Sequence, residues 1–359
     1  MRHPAKDQTI KDSVCGMRIE NPQFNFVYEG KKYNFCSQGC LKRFKKNPRS
    51  YSQRRSYDLI IIGGGPAGLT AGVYASILKI GTLLLSSDIG GQAVDSTKIK
   101  NYMGFDLITG PELLTKFQDQ LLHHHYVDHR IATVVSVRKS KKAFLVKILS
   151  GEEYRSLAVI IATGMVRNRL NVPGEKRFTR RGICYAASQD IPLLGGKKVA
   201  VIGGGNSALQ IVLELNKHGC QTVMVSLEPW TGDPSLCEEV RAAKNLEAFD
   251  HHCVLRIGGK EKIEYLLIRN LQSGRKLRLA VDAVFVAIGL APNSSLVRRL
   301  ADLNERGEIK IRPDCGTRTP GLFAAGDVTD VFAKRIVIAS GEGAKAALAA
   351  HRYLSGLKE

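Results

Sequence analysis

The chain has 359 residues, of which 44% are hydrophobic and 24% charged, and its formal net charge at pH 7 is +20. This length is sufficient for two or three domains, and the composition is that of an ordinary globular protein. The polar N-terminus and the absence of a long apolar run free of glycine predict neither a signal peptide nor a membrane span, and they favour a cytoplasmic location. Eight cysteines in such a chain do not predict a disulfide framework.

Three of these cysteines form a pattern near the N-terminus. Cys15, Cys36 and Cys40 are separated by twenty and by three residues. Cys36 and Cys40 lie one helical turn apart, so both sulfurs can face one point, and the turn at Cys15 brings a third. Three soft sulfurs suit Zn²⁺, Cu(I) or another soft metal, with a fourth position left for a substrate, a partner or Met17. A structural zinc ion in a module too small to stay folded alone is the other interpretation.

Residues 10–51 resemble the YHS/TRASH type of metal-binding module in their CGM turn, YNFCS strand end and short basic helix.

The N-terminal segment also carries an excess of positive charge. The first 55 residues hold 13 Lys or Arg against four Asp or Glu. This excess predicts an acidic redox partner, such as a ferredoxin- or flavodoxin-like protein, although an ordinary solvated surface explains it equally well. No signature of a nucleic-acid-binding fold accompanies the charge, so neither nucleic acid nor a membrane is expected as a partner.

Two glycine-rich fingerprints lie 140 positions apart. Residues 58–68 read DLIIIGGGPAG and residues 198–208 read KVAVIGGGNSA, each an apolar strand that runs into a glycine turn and then an apolar helix. Such a unit holds a dinucleotide pyrophosphate at a helix N-terminus. Two copies predict two nucleotides, usually a flavin and a nicotinamide. The predicted contacts are Gly63, Gly65, Pro66, Ala67 and Gly68 in the first copy, and Gly203, Gly205, Asn206 and Ser207 in the second.

From about Tyr57 onward the chain resembles the low-molecular-weight thioredoxin reductases, and among them the flavoprotein component of alkyl hydroperoxide reductase. The motifs are, in order, GGGPAG (63–68), GGQ (90–92), Asn101–Tyr102, ATG (162–164), VAIG (286–289), AAGD (324–327) and KRIVIASGEGAKAALAA (334–350). The resemblance implies that the last helix directs its N-terminus at the flavin, where a positive partial charge stabilises anionic reduced flavin. It implies an FAD site that includes Gly91, Gln92, Asn101, Gly164, Asp327, Arg335 and Ile336, with Asp327 at the ribityl chain.

Two strand ends bear on nucleotide choice. The family has an acidic or polar residue at the end of the second FAD-domain strand, where this sequence has Ser87 and Asp88. Ser87 is the better alignment, and Asp88 is the acid that suits the adenosine ribose. In the inserted domain, Glu228 stands where NADP-linked members carry basic residues. A carboxylate accepts hydrogen bonds from a 2′-hydroxyl and repels a 2′-phosphate, which favours NADH over NADPH.

The family's redox dithiol, Cys-x-x-Cys-Asp, is replaced in this sequence. Counted back from the second fingerprint, the two cysteine positions hold Ala186 and Gln189, while Asp190 keeps the acid. Neither replacement can form a thiolate or a disulfide, so the dithiol exchange of a thioredoxin reductase is not expected. Cys184, two positions upstream, is a candidate catalytic thiol together with Asp190, although a small packing residue is the commoner role of a lone cysteine.

These observations predict an α/β fold with two doubly wound, Rossmann-like dinucleotide-binding domains, one inserted in the other, plus a small N-terminal metal-binding module. The expected boundaries are 1–52 for the module, 57–166 and 283–359 for the FAD domain, and 167–282 for the NAD(P)H domain. The resemblance implies a homodimer. The histidines at 123–125, 129, 251 and 252 are expected to be solvated rather than to bind a second metal.

The leading functional hypothesis is an FAD-dependent NADH oxidoreductase without a dithiol. Its electrons would pass to a metal at the N-terminal module or to a redox protein partner. The alternatives are a metal-responsive binding or sensor flavoprotein, and a thiol reductase that uses Cys184.

Overall fold

The computed structural model describes residues 12–14, 17, 19, 23–28, 30–46, 48, 55–96, 98–122, 126–179, 181–185 and 191–357. The chain divides into two compact units. The first unit comprises Met1–Met165 and Pro292–Glu359, and the second comprises Val166–Ala291. No helix in the described part of the chain is both long and apolar enough to span a bilayer.

Nineteen strands and seven α-helices make up the described chain. In chain order they are β1 (Phe24–Tyr28), β2 (Lys31–Phe35), α1 (Gln38–Lys46), β3 (Ser56–Ile62), α2 (Pro66–Ile77), β4 (Thr82–Ser86), α3 (Gly110–Leu122), β5 (Val127–Ile131), β6 (Val134–Ser140), β7 (Ala143–Ile148), β8 (Glu153–Ile161), β9 (Met165–Arg167), α4 (Glu175–Phe178), β10 (Ile183–Cys184), β11 (Lys198–Ile202), α5 (Asn206–Lys217), β12 (Gln221–Val225), α6 (Pro234–Arg241), β13 (Leu246–Phe249), β14 (His252–Gly258), β15 (Tyr265–Asn270), β16 (Lys276–Ala280), β17 (Ala283–Val286), β18 (Leu290–Pro292), β19 (Leu322–Ala324) and α7 (Ile336–Ser355).

The N-terminal module is an antiparallel hairpin, β1–β2, followed by the basic helix α1. Its core is aromatic. Phe44 of α1 is fully buried, and the rings of Tyr33 and Phe35 lie 4.5 and 5.1 Å from it, centroid to centroid. Cys40, one turn before Phe44, is buried with it. The helix therefore presents a thiol and a ring to the hairpin on one face and its Lys and Arg side chains on the other.

The main sheet of the first unit has the order β5-β4-β3-β8-β7-β6, with β19 pairing in parallel with β8. Strands β3, β4, β5 and β8 run parallel, and β6 and β7 are antiparallel additions. The parallel strands are apolar on both faces because both faces are covered. One face packs on α2, α3 and α7, and the other packs on β6, β7 and residues 296–311.

Helices α2 and α7 of the first unit approach each other at backbone distance. A Cβ on Gly343 would lie 2.1 Å from the carbonyl oxygen of Ala67, so the crossing requires glycine at 343. This contact fixes the start of α2 beneath α7, and it places the two helix N-termini on the same side of the sheet as the carboxyl ends of β3 and β8.

The second unit has a parallel five-stranded sheet of order β10-β17-β11-β12-β13 and a three-stranded antiparallel sheet, β14-β15-β16. The predicted boundary at 282 differs from the observed division. Strand β17 begins at Ala283 and pairs with β11, so it belongs to the second unit rather than to the FAD domain. The chain leaves the first unit at β9 and returns to it at β18.

Candidate functional site

The first glycine turn, after β3, is shaped to admit a phosphate. Gly63 has φ +122°, and a Cβ there would lie 2.1 Å from the Ala162 carbonyl oxygen. A Cβ on Gly68 would lie 1.9 Å from the Gly63 carbonyl oxygen, so neither position accepts a side chain. Gly65, in contrast, has no heavy atom closer than 4.0 Å to its Cβ position. Helix α2 starts at Pro66 without a side-chain cap, which leaves its first-turn N–H groups for an anion.

The second glycine turn, after β11, repeats this construction. Gly203 has φ +135°, and a Cβ there would lie 2.2 Å from the Ala287 carbonyl oxygen, while the space at Gly205 is open to 4 Å. Helix α5 starts at Asn206, again without a side-chain cap, and Ser207 beside it is exposed. Buried Ala208 takes the place of Gly68. The residues of both turns thus fit a dinucleotide pyrophosphate.

Three predicted flavin contacts converge on the first turn. The Cβ position of Gly91 lies 3.4 Å from the Gly65 Cα. The amide of Gln92 donates to the Met165 carbonyl oxygen at 2.6 Å, which fixes the 90–92 loop. Asp327 follows Gly326, whose Cβ would lie 2.9 Å from that of Ala67. The backbone that carries Asp327 therefore lies next to the start of α2.

Burial raises the pKa of the Asp327 carboxyl group above its usual value, while the charges of Lys334 and Arg335 oppose this shift. Arg335 is exposed at the N-cap position of α7, its side chain does not cap the helix, and half-buried Ile336 begins the helix. Gly164 has open space at its Cβ position, and Asn101 is exposed.

At the end of β4 the structure adds a residue that the sequence analysis missed. Ser86 is buried, and a Cβ on Gly64 would lie 2.8 Å from its hydroxyl oxygen, so Ser86 faces the glycine turn. Ser87 and Asp88 are exposed, and the Ser87 hydroxyl donates to the Asp88 carboxylate at 2.9 Å. Alignment favoured Ser87, because the sequence does not show which side chain at the end of β4 faces the glycine turn.

The prediction that the histidines are solvated is wrong for His129 and His252, and residues 123–125 lie outside the described part of the chain. His129 is 3% exposed, with its Nε2 atom 3.1 Å from the Ser86 hydroxyl oxygen. Burial, helped by the charge of Arg43, lowers the pKa of His129 to about 4. His252 is 9% exposed, and its Nδ1 lies 2.6 Å from the Asp250 carbonyl oxygen.

In the second unit, the loop after β12 closes over the second glycine turn. The Thr231 N–H donates to the Gly204 carbonyl oxygen at 2.9 Å, and the Asp233 N–H donates to the Asn206 side chain at 2.7 Å. Glu228 belongs to this loop and is exposed. Ser226, at the strand end, is buried, and its hydroxyl has no hydrogen-bond partner among the described residues. An orphaned hydroxyl next to the glycine turn fits a site that a nucleotide completes.

The segment that holds Ala186, Gln189 and Asp190 lies outside the described residues. Just before it, half-buried Cys184 belongs to β10 and packs against the core of the second unit. The hydroxyl group of Tyr185 donates to the Glu175 carboxylate at 2.7 Å. This carboxylate also accepts the backbone N–H groups of Leu170 and Asn171, at 2.9 and 2.7 Å. The strand that leads into the undescribed segment is therefore firmly held.

The N-terminal module brings two predicted thiols together with a carboxylate. The sulfurs of Cys36 and Cys40 are 3.8 Å apart. Two sulfurs bound to one tetrahedral zinc ion at about 2.3 Å each would be separated by about 3.8 Å, so the pair fits such an ion. An oxygen of Asp12 lies within 4.8 Å of both sulfurs. Cys15 lies outside the described residues.

Asp12 was not predicted, because no spacing rule connects it to the cysteines. It is 3% exposed. One carboxylate oxygen accepts the Val14 N–H at 2.6 Å, and the other accepts the Cys36 N–H. These bonds connect the turn at Asp12 to the backbone of Cys36. The group can thus serve as a hard ligand or as a support for the soft ones.

Comparisons with known proteins agree with this arrangement. Residues 57–349 match the family described as pyridine nucleotide-disulphide oxidoreductase, and residues 10–55 match the YHS domain. The F subunit of alkyl hydroperoxide reductase from Pseudomonas putida is 33% identical over 305 residues, which is 84% of this chain and 59% of that protein. The chain thus spans about three fifths of the length of the curated relatives it matches.

Solved structures extend the likeness to the whole fold from β3 onward. Thioredoxin reductase of Lactococcus lactis has a TM-score of 0.71 at 29% identity, and the match covers 84% of this chain and 99% of that one. For thioredoxin reductase of Giardia duodenalis the TM-score is 0.56 at 31% identity, with 84% and 100% covered. These matches confirm the predicted fold class and both predicted resemblances.

Proposed function

The chain belongs to the pyridine nucleotide-disulphide oxidoreductase family, and we propose that it is an NADH-dependent FAD enzyme that passes electrons to an acceptor other than a dithiol. Membership implies a flavin-dependent oxidoreductase that uses FAD and NAD(P)H. The observation that supports the proposal most is the repeated, uncapped glycine turn, at Gly65 and at Gly205, each open where a pyrophosphate would lie.

The residues of the first unit would hold FAD along the carboxyl ends of its parallel strands. The N-terminus of α2 would bind the pyrophosphate, Ser86 and Asp88 would face the adenosine, and Asp327 would face the ribityl chain. The uncapped N-terminus of α7 would place positive potential at the isoalloxazine ring, which favours a reduced, anionic ring. When bound, FAD supplies the oxidation of the nicotinamide and the onward transfer of its electrons.

Glu228 supports NADH as the donor. It is exposed beside the second glycine turn, where the adenosine ribose of the nicotinamide nucleotide would lie. Its carboxylate can accept hydrogen bonds from both ribose hydroxyls. A 2′-phosphate at the same place would meet a like charge, and this repulsion is the basis of the proposed preference.

The exit of electrons is proposed from the sequence and from the N-terminal module. Ala186 and Gln189 cannot carry disulfide exchange. A metal held by Cys36 and Cys40, whose sulfur spacing fits such an ion, would be the acceptor or the docking place of one. The exposed Lys42, Lys45 and Lys46 of α1 suit an acidic redox protein as partner.

Anaerobic stopped-flow spectroscopy tests the donor half of the proposal. NADH should bleach the flavin band on a catalytic timescale, and it should do so faster than NADPH at equal concentration. If neither NADH nor NADPH bleaches the flavin band, the reductase proposal is refuted and a sensor flavoprotein is favoured.

The acceptor half is tested with Cys36→Ser and Cys184→Ser. Cys36→Ser should lose bound metal, measured by elemental analysis, and keep NADH-driven flavin reduction. Cys184→Ser should keep both. A loss of turnover with added acceptors in Cys184→Ser alone would instead identify a thiol reductase that works through the lone cysteine.

A further inference from the structure

A cavity of about 400 Å³ lies in the first unit beside the carboxyl ends of β4 and β5. Its walls are mostly apolar. The residues that line it include Met17 from the N-terminal module and Asp88, Ile89, Val94, Leu114 and Ile131 from the nucleotide-binding part.

The cavity adjoins the first glycine turn. The Gly90 N–H donates to the Gly64 carbonyl oxygen at 2.7 Å, and a Cβ on Gly64 would lie 2.4 Å from the Asp88 carbonyl oxygen. The Asp88–Ile89 wall is therefore continuous with the turn. A dinucleotide whose pyrophosphate lies at the start of α2 extends its adenosine toward the end of the second strand. The cavity is consequently at the adenosine end of the proposed FAD site.

Met17 connects this cavity to the thiol site. Its carbonyl oxygen accepts the Asp12 N–H at 2.8 Å. The carboxylate of the same Asp12 accepts the Cys36 N–H and lies within 4.8 Å of the two sulfurs. One residue thus holds both the loop that projects Met17 and the strand end that carries Cys36. The thiol site and Met17 are therefore connected through Asp12.

A second contact holds the module in place. Arg43, one turn after Cys40 on α1, donates to the Val127 carbonyl oxygen at 2.9 Å. Val127 begins β5, and Ile131, at the other end of this strand, lines the cavity. The module is therefore attached to β5 through Arg43 and reaches the cavity through Met17.

We propose that the N-terminal module closes the adenosine end of the FAD site through Met17, so that metal binding at Cys36 and Cys40 strengthens FAD binding. By linkage, FAD must strengthen metal binding by the same factor. The inference rests on the proposed FAD site, but it is independent of the electron donor and acceptor. It assigns the module a role in retaining the flavin, in addition to any role in electron transfer.

Titration of the flavin-free, full-length protein with FAD tests the coupling, with flavin fluorescence as the readout. The Kd is measured with one equivalent of Zn²⁺ and again after treatment with a chelator. Removing the metal should raise the Kd at least about fivefold, the lower end of typical coupling between sites. Met17→Ala should raise the Kd to a similar extent in the presence of Zn²⁺ and should abolish the response to the chelator.

Two further variants keep the test decisive. Arg43→Gln removes the hydrogen bond to the Val127 carbonyl oxygen while Cys36, Cys40 and Met17 are kept, and it should reproduce Met17→Ala even if the latter variant folds poorly. Val27→Ala, at a 60% exposed position on β1 of the same module, is the matched control and should leave the Kd and its metal response unchanged.

An FAD Kd that is the same with and without Zn²⁺ in the wild-type protein would overturn the inference. So would a metal response that persists in both Met17→Ala and Arg43→Gln. Coupled FAD and Zn²⁺ binding without NADH-driven flavin reduction would overturn the proposed function alone, so the two failures are distinguishable.

Discussion

Lowering the pH from 7 to 4.5 should destabilise the first unit through His129. The imidazole is 3% exposed, lies 3.1 Å from the Ser86 hydroxyl oxygen and faces the charge of Arg43. Its pKa is about 4, compared with 6.5 for an unperturbed histidine. Below pH 6.5 the His129 imidazole becomes protonated in the unfolded chain but stays neutral in the folded chain. The contribution of this residue is thus complete above pH 6.5 and is lost as the pH falls toward 4.

The size of the effect follows from the two pKa values. The two pKa values differ by about 2.5, which corresponds to about 3.5 kcal/mol at 1.4 kcal/mol per pKa unit. At pH 4.5, about 2.5 kcal/mol of this has been lost, because the unfolded imidazole is then almost fully protonated and the folded one is only partly so. In a unit of this size, each kcal/mol of lost stability lowers the Tm by about 2–4 °C. The Tm should therefore decrease by about 5–10 °C.

Calorimetry of wild type and His129→Gln at both pH values isolates this term. Glutamine keeps a polar group near Ser86 but does not titrate, and carboxylates that titrate in both proteins cancel in the difference. The Tm of wild type relative to the variant should fall by about 5–10 °C between pH 7 and pH 4.5. A difference in Tm between wild type and His129→Gln that does not change with pH would refute the reasoning.

Three other outcomes are expected. Gly68→Ala should fold poorly and lack flavin, because its Cβ would lie 1.9 Å from the Gly63 carbonyl oxygen, whereas Gly65→Ala, with no atom closer than 4.0 Å, should fold and bind less flavin per mole of protein. Glu228→Gln should reduce the preference for NADH over NADPH in kcat/KM about tenfold, the equivalent of about 1.4 kcal/mol of lost repulsion. In the native protein Cys315 should resist iodoacetamide at mildly alkaline pH, because burial raises the pKa of its thiol to about 12, and it should react after denaturation. Full flavin content in Gly68→Ala, unchanged preference in Glu228→Gln or ready labelling of native Cys315 would each contradict the corresponding argument.

Sequence predicted the two nucleotide cradles because their requirements are local. At Gly63 and Gly203 the chain must turn with positive φ beside a carbonyl oxygen, and only glycine meets both conditions. An apolar strand before the turn and an apolar helix after it complete a signal of eleven residues that needs no distant partner.

The features that could not be predicted from the sequence depend on contacts between residues that are far apart in the chain. His129 is buried because β5 pairs with β4 and because Arg43, distant in the chain, lies against β5. Asp12 becomes part of the thiol site only when the hairpin brings Cys36 beside it. The strand AVFV that begins at Ala283 has the apolar pattern of a buried strand in either unit, and only its pairing with β11 assigns it to the second.

The hydrogen bond from Arg43 to the Val127 carbonyl oxygen has a consequence for shortened forms of the chain. Strand β5 is the last strand on its side of the main sheet, so its outward N–H and C=O groups are a template for pairing with another molecule. A chain cut before residue 55 loses the side chain that occupies one of these carbonyl groups, together with the charged helix that carries it. We expect such a fragment to self-associate along β5. A difference in activity between this fragment and the intact chain would then combine two effects, the loss of the cysteine module and aggregation at a sheet edge.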